Sequence, residues 1–448
     1  MTGLKGARVL IVDNEEKDAI PIIKAFSKAG IPSVFIHYDE NTPENKLKGI
    51  RLVVLDMELE TGLTDSKSKA STTANYLSDL ISSENGPYFI IAWTNYPELL
   101  NEFEGYIFSK PEIPNPIFSI MITKSECRTN EEFDLGKISR KINEKLNLFY
   151  PLNILQIWEE ACYFASTEVT NHISDLIDVN FQDINTWRQE WKNQLVQLIR
   201  DMATEGAGQK LNKDNCISSF FSLLNPLYED KMEIKSTELK SLPDNQMNEI
   251  INSRRTSTIE LKSKINTQIH LSFESLERFE GGNVYIFNTK RKPKWIPDID
   301  DLINAFIQKN EDKTPEKKKL IDKQISRLII EINPQCDHAQ NNIYCPRFIY
   351  GIFAPEELRI ELNGKNKKIQ FKGDSGFIKK IGPFWLDNPV TKSGVYYLFL
   401  SARHLVTCNF REIGKINRAS VRLRKQLLNE VQYWFSTNAA RPGISILK

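Results

Sequence analysis

The chain is predicted to be α/β: an N-terminal five-stranded doubly wound parallel sheet, then a helical bundle, then a C-terminal β-rich, barrel-like domain. Three observations predict this. Residues 8–150 alternate strand-like and helix-like patterns; such alternation makes a parallel sheet with helices on both faces. Residues 151–275 carry long amphipathic helical patterns and no convincing strand. From 276 onward, short strands are separated by Gly, Asn, Pro and charged turns. The expected domains are therefore 1–150, 151–275 and 276–448.

In the first region, "RVLIV" (8–12), "PSVFIHY" (32–38), "RLVVLD" (51–56), "YFIIAWT" (88–94) and "PIFSIMITK" (116–124) read as strands. Their unbroken, β-branched character is that of strands buried on both faces. "EKDAIPIIKAFSKAG" reads as a helix with Ile20, Ile23 and Phe26 inward, stopped by Gly30. "TPENKLKG" reads as a short polar helix, "KASTTANYLSDLISSENG" and "YPELLNEFEGYIFSK" as two more, and residues 132–149 as the last. In the second region, "NILQIWEEACYFASTEVTNHISDLI" and "INTWRQEWKNQLVQLIRDMA" are the longest helical patterns. In the third, "GNVYIFNT", "RLIIEINP", "RFIYGIF", "LRIELNG", "KKIQFKG" and "GVYYLFL" read as strands. A helical insert is expected over about 297–325, and a final helix over 418–440.

Composition excludes several classes. Lys plus Arg (59) and Asp plus Glu (58) nearly cancel, leaving a net charge of +1. No global field favours nucleic acid or an anionic membrane. Six cysteines in 448 residues are too sparse for a disulfide scaffold and fit a reducing cytoplasm. The chain enters a strand without a signal-peptide core and has no membrane-length apolar run, so a soluble cytoplasmic protein is expected.

The strand ends carry the chemistry. Strand one ends in Asp13-Asn14-Glu15-Glu16, strand three in Asp56, strand four in Thr94 and strand five in Lys124. In a parallel sheet these tips share one edge, where ligands bind. Carboxylates and an amide oxygen suit a hard cation such as Mg²⁺. Asp56 can serve as a nucleophile toward a phosphoryl group, with the Thr94 hydroxyl and Lys124 ammonium contacting its oxygens.

The pieces "LIVDNEE", "VVLDMEL", "IIAWTNYP" and "IMITKSE", in this order at strand ends, resemble the receiver domain of two-component response regulators. The resemblance covers residues 8 to about 150. It implies that Asp56 accepts phosphate from a phosphohistidine of a partner histidine kinase. Asp13 and Asn14 match the acidic pair that helps hold Mg²⁺, and Glu58 matches the position whose backbone carbonyl ligates the metal. Thr94 and Lys124 match the switch hydroxyl and the lysine. Four departures stand out. Asn14 removes one acid, with Glu15 as a substitute ligand. Asn95 replaces a small residue, and Met121 stands where an aromatic switch residue is common. The gaps around Thr94 are long.

Elsewhere, His172 on a helical pattern is a candidate phosphotransfer residue, weighed against an ordinary helical histidine; His270 is weaker. Cys336, His338, Cys345, His404 and Cys408 form a zinc candidate. Their C-x-H-x6-C and H-x3-C spacings depart from knuckle patterns and favour ordinary buried side chains. "KRKPKW" and "RLRKQ" are basic, with aromatics close by. Two functions follow. One is a phosphoacceptor resembling the receiver proteins of bacterial antiphage two-component systems such as Detocs, acting as a phosphate buffer alongside a second receiver or effector. The other is a receiver-gated effector whose C-terminal domain binds or cleaves nucleic acid.

Overall fold

The computed structural model describes residues 8–38, 43–60, 62–130, 132–146, 150–179, 183–207, 211–238, 244–253, 257–274, 279–287, 306, 320–321, 323–334, 337–338, 343, 345–355, 358–362, 365–369, 371, 373–387, 393–408 and 419–439. The chain divides into two compact units, one of residues 1–168 with 230–250, the other of 169–229 with 251–448.

The first unit holds a five-stranded parallel sheet of β1 (Val9–Asp13), β2 (Ser33–His37), β3 (Leu52–Leu55), β4 (Phe89–Thr94) and β5 (Phe118–Thr123), in the order β2-β1-β3-β4-β5. This is a doubly wound order whose switch point lies between β1 and β3. Alternation along the strands splits the core in two. Leu10, Val12, Val53, Leu55, Ile90 and Ala92 pack with α2 (Ser66–Leu80) and α3 (Glu98–Phe108). Val9, Ile11, Leu52, Val54, Phe89 and Ile91 pack with α1 (Glu16–Lys28) and α4 (Leu135–Leu146). Both sheet faces are covered, which is why these strands are apolar without alternation.

Three local expectations change. Residues 43–51 form no helix; Leu47 instead makes a single bridge to Ile81, and it packs with Ile50 on the α2 side of the sheet. The run is short and charged, with no apolar stripe to bury as a helix. In α1 the buried positions are Asp18, Ala19, Ile22, Ala25 and Phe26, while Ile20 is 37% exposed. The stripe is thus rotated from the one expected. Between β5 and α4 the chain makes a 3-10 turn (Lys124–Cys127) and a small hairpin, β6 (Arg128–Thr129) and β7 (Glu132–Phe133).

Helices α5 (Tyr150–Asp175), α6 (Ile184–Ala207), α7 (Cys216–Glu238), α8 (Asp244–Ile251) and α9 (Ile259–His270) follow. Thr258 caps α9 by accepting the Leu261 N–H. Asn266 and Thr267 of α9 bond the carbonyls of Pro383 and Trp385, so this helix belongs to the C-terminal sheet's packing. No helix among the described residues is long and apolar enough to cross a membrane.

The second sheet is antiparallel. Its strands are β8 (Leu271–Ser272), β9 (Asn283–Phe287), β10 (Ser326–Glu331), β11 (Arg347–Pro355), β14 (Ile378–Leu386), β15 (Gly394–Thr407) and β16 (Val421–Leu423), in the order β14-β15-β11-β10-β9-β16-β8. It curls into an open half-barrel rather than closing. Register shifts in β11–β15 and β14–β15 mark irregularities of the kind that bend strands. At Gly351 a Cβ would lie 2.7 Å from Phe399 O, so the close approach of β15 requires glycine. One face packs against α10 (Lys425–Ala439) through Leu427, Leu428, Val431 and Trp434. The hairpin of β12 (Leu358–Leu362) and β13 (Lys365–Ile369) contributes Leu358 and Ile369 to the other core. The terminal helix is shorter than expected because Val421–Leu423 pairs as β16 first. The expected insert at 297–325 lies outside the described residues except for 306, 320–321 and 323–325.

Candidate functional site

Asp13 is the last residue of β1, and Asp56 directly follows β3, the two strands flanking the switch point. Both are buried. Each spends one oxygen on its own backbone: Asp13 Oδ1 accepts the Glu15 N–H at 2.8 Å and Asp56 Oδ1 accepts the Glu58 N–H at 3.2 Å. These bonds fix the carboxylates at the start of the turns. The second oxygens face Lys124, whose Nζ lies 3.0 Å from Asp56 Oδ2 and 3.4 Å from Asp13 Oδ2. The structure therefore brings together three predicted residues separated by up to 111 positions.

A fourth residue, Asp18, enters from α1. Its Oδ2 lies 3.0 Å from Lys124 Nζ and its Oδ1 3.5 Å from Arg128 Nη2. The sequence reading missed it because the assumed stripe of Ile20, Ile23 and Phe26 turned position 18 to solvent. An acid at i−4 from Ile22 and i−7 from Ala25, on the buried face, is the signal that would have found it.

The electrostatics are unbalanced, with three carboxylates meeting one ammonium. Burial, then repulsion from Asp56, pushes the Asp13 carboxyl up to about 7, against the pull of Lys124. Burial likewise raises Asp56, with Lys124 opposing it. For Lys124, burial disfavours the charged form, but Asp56 and Asp13 outweigh it and hold the ammonium above the ordinary lysine range.

Thr94 is buried at the end of β4, where its Oγ1 accepts the Tyr96 N–H at 3.1 Å; it makes no hydrogen bond to the charged cluster. Asn95 Oδ1 accepts the Ser125 N–H at 3.1 Å, tying the exit of β4 to the turn after β5. Asn14 is half-buried. Glu15 is exposed, and its carboxylate pairs with Lys17. The Glu58 side chain pairs with Lys69. Met121 packs partly buried in the core under α2 and α3.

The C-terminal candidates have other partners. His338 Nε2 lies 2.9 Å from Oε2 of the fully buried Glu331. His404 Nδ1 lies 2.7 Å from Ser401 Oγ. The Cys345 thiol approaches the Cys408 carbonyl at 3.6 Å, and the two cysteines are not joined in a disulfide. Cys336 lies outside the described residues. Among the described residues, no three His, Cys, Asp or Glu side chains form a ready metal cage. His172 is exposed on α5. "KRKPKW" lies outside the described residues, while in "RLRKQ" Arg422 pairs with Glu280 and Arg424 donates to Leu271 O.

Comparison with protein-family models, with curated proteins and with solved structures finds no match.

Proposed function

We propose that the N-terminal unit is a phosphoacceptor receiver in which Asp56 takes a phosphoryl group from a partner histidine kinase. One observation carries this reading: the Lys124 ammonium joins Asp56 and Asp13 at the β1/β3 switch point, across 68 and 111 positions of sequence. An Asp56 oxygen attacks phosphorus, the P–N bond to the donor histidine breaks, and the leaving imidazole takes a proton from water. The product is an acyl phosphate, which water later hydrolyses to regenerate the carboxylate. Lys124 supplies positive charge to the phosphoryl oxygens.

The donors also fit a magnesium ion. Mg²⁺ binds through one or two carboxylates and keeps several waters. Asp13 and Asp56 are two such carboxylates, held by their backbone bonds and short of positive charge. Bound there, Mg²⁺ would neutralise the incoming phosphoryl oxygens.

Met121, in place of an aromatic switch residue, favours a phosphate buffer over a gated effector. Gating from mostly off to mostly on requires several kcal/mol of differential stabilisation. The reading implies a cytoplasmic setting and, through the resemblance, a role in phage defence beside a second receiver or effector. The test is incubation of the full chain with Mg²⁺ and acetyl phosphate or a kinase. One acid-labile phosphate is expected, and Asp56→Asn removes it with the fold intact. Full labelling of that variant overturns the reading.

A further inference from the structure

We infer that Asp18 is a positioning residue that holds Lys124 in reserve, and that the Arg128 hairpin responds when Lys124 leaves it for an anion. The inference rests on the receiver reading above. An ammonium has three protons to donate, and Lys124 faces three carboxylates, those of Asp13, Asp18 and Asp56. A phosphoryl oxygen arriving at Asp56 gains one of these protons only if a carboxylate gives it up.

The three contacts are not equally replaceable. Asp13 and Asp56 have no salt-bridge partner besides Lys124 among the described residues. Asp18 has one at hand, since its other oxygen lies 3.5 Å from Arg128. Asp18 is therefore the carboxylate that releases Lys124 at least cost, because drawing Arg128 closer keeps its buried charge compensated.

Arg128 is on β6, and its guanidinium stacks 4.4 Å above the ring of Phe133 on β7. The Phe133 ring in turn lies 5.6 Å from that of Trp93, the neighbour of Thr94. A shift of Arg128 toward Asp18 moves a hairpin whose aromatic contact leads back to the end of β4. This supplies a local response that an aromatic at position 121 is not there to give. A ligand shifts such an equilibrium only through contacts that differ between the two states, and the exchange of Lys124 for Arg128 is that difference.

The test uses the full chain with Mg²⁺ and beryllofluoride, reading binding affinity together with amide hydrogen exchange over residues 128–133. The wild type loads, and the hairpin's protection changes on loading. Asp18→Asn loads about tenfold more tightly or better, as expected for a charge removed a few ångströms from an anion, and its hairpin no longer responds. Arg128→Gln loads more weakly than wild type, because Asp18 then has no second cation. Wild-type affinity in Asp18→Asn, or a hairpin that still responds in it, overturns the inference while the receiver reading stands. A wild type that does not load overturns both. Should Asp18→Asn fail to fold, Arg128→Gln decides: unchanged affinity in that exposed-site variant overturns the role of Asp18.

Discussion

Asp56 and Glu331 are both buried acids at strand ends, and burial is the largest cause raising the pKa of each. Their surroundings differ. Glu331 ends β10 of the antiparallel sheet, and its partners are local: the Asn333 N–H at 2.9 Å and His338, seven positions on. Each carboxylate oxygen has its own partner, and the pair closes the chain leaving β10. Asp56 shares a single ammonium with Asp13 and Asp18, and that ammonium comes from 68 positions away. Parallel strands make this possible, because all their C-terminal tips meet at one edge. Burial alone therefore does not distinguish the two acids. Convergence of distant groups on one shared ammonium does.

The largest effect expected from this contrast is on stability. Removing one partner of a buried ion pair strands the others, at a cost of about 3–5 kcal/mol. Lys124→Met should destabilise the first unit by that order at pH 8, and adding Asp13→Asn should restore much of it. Glu331→Gln keeps an acceptor oxygen and should cost only about 1–2 kcal/mol. Urea unfolding of the full chain measures both. Equal losses from the two substitutions would dissolve the distinction between the sites.

A smaller effect separates the sites by pH. The Asp13 carboxyl rises from 3.8 to about 7 on folding, so the folded state holds its proton more tightly than the unfolded one. The stability this carboxyl contributes is then fully present below about pH 4 and is lost as pH rises through about 7. Asp13→Asn lacks this loss. It should match wild type near pH 4 and exceed it at pH 8 by at most about 4 kcal/mol, the worth of a rise from 3.8 to about 7. Thermal melting from pH 4 to 8 with a chelator present gives the comparison. A variant less stable than wild type at pH 8 would mean that Asp13 is net stabilising as a carboxylate.

Much of this site is legible in the sequence, for a physical reason. Strands buried on both faces are continuous apolar runs, so "RVLIV", "RLVVLD" and "YFIIAWT" announced themselves and put Asp13, Asp56 and Thr94 at their exits. Lys124 followed from the same logic. Asp18 was hidden by the angular phase of α1, since Ile20 and Ile23 are as apolar as the Ala19 and Ile22 that are actually buried. The hairpin at 128–133 is too short and polar to leave a periodic signal. In the second sheet, β14 was unreadable because Gly382-Pro383 interrupts it; β14 is an edge strand, where proline is tolerated. Pairing with β9 and β8 turned Val421–Leu423 into a strand, although the segment runs into a helix with no break in pattern.

The smallest expected effect concerns the proposed magnesium ion and tests which side chain would complete its shell. Asn14 is half-buried directly after Asp13, whereas Glu15 is exposed and pairs with Lys17. A carboxylate at position 14 would add attraction for a cation in a partly solvated site, where one charge at several ångströms is worth about 1 kcal/mol. Asn14→Asp should therefore tighten Mg²⁺ by about three- to tenfold, and Glu15→Ala should leave it unchanged. Titration calorimetry of Mg²⁺ on the two variants, with Asp13→Ala as the weakened reference, separates the possibilities. If Glu15→Ala weakens the ion and Asn14→Asp does nothing, Glu15 turns inward when the cation arrives. The imbalance of charge at this sheet edge would then be relieved from the exposed turn rather than from the strand tip.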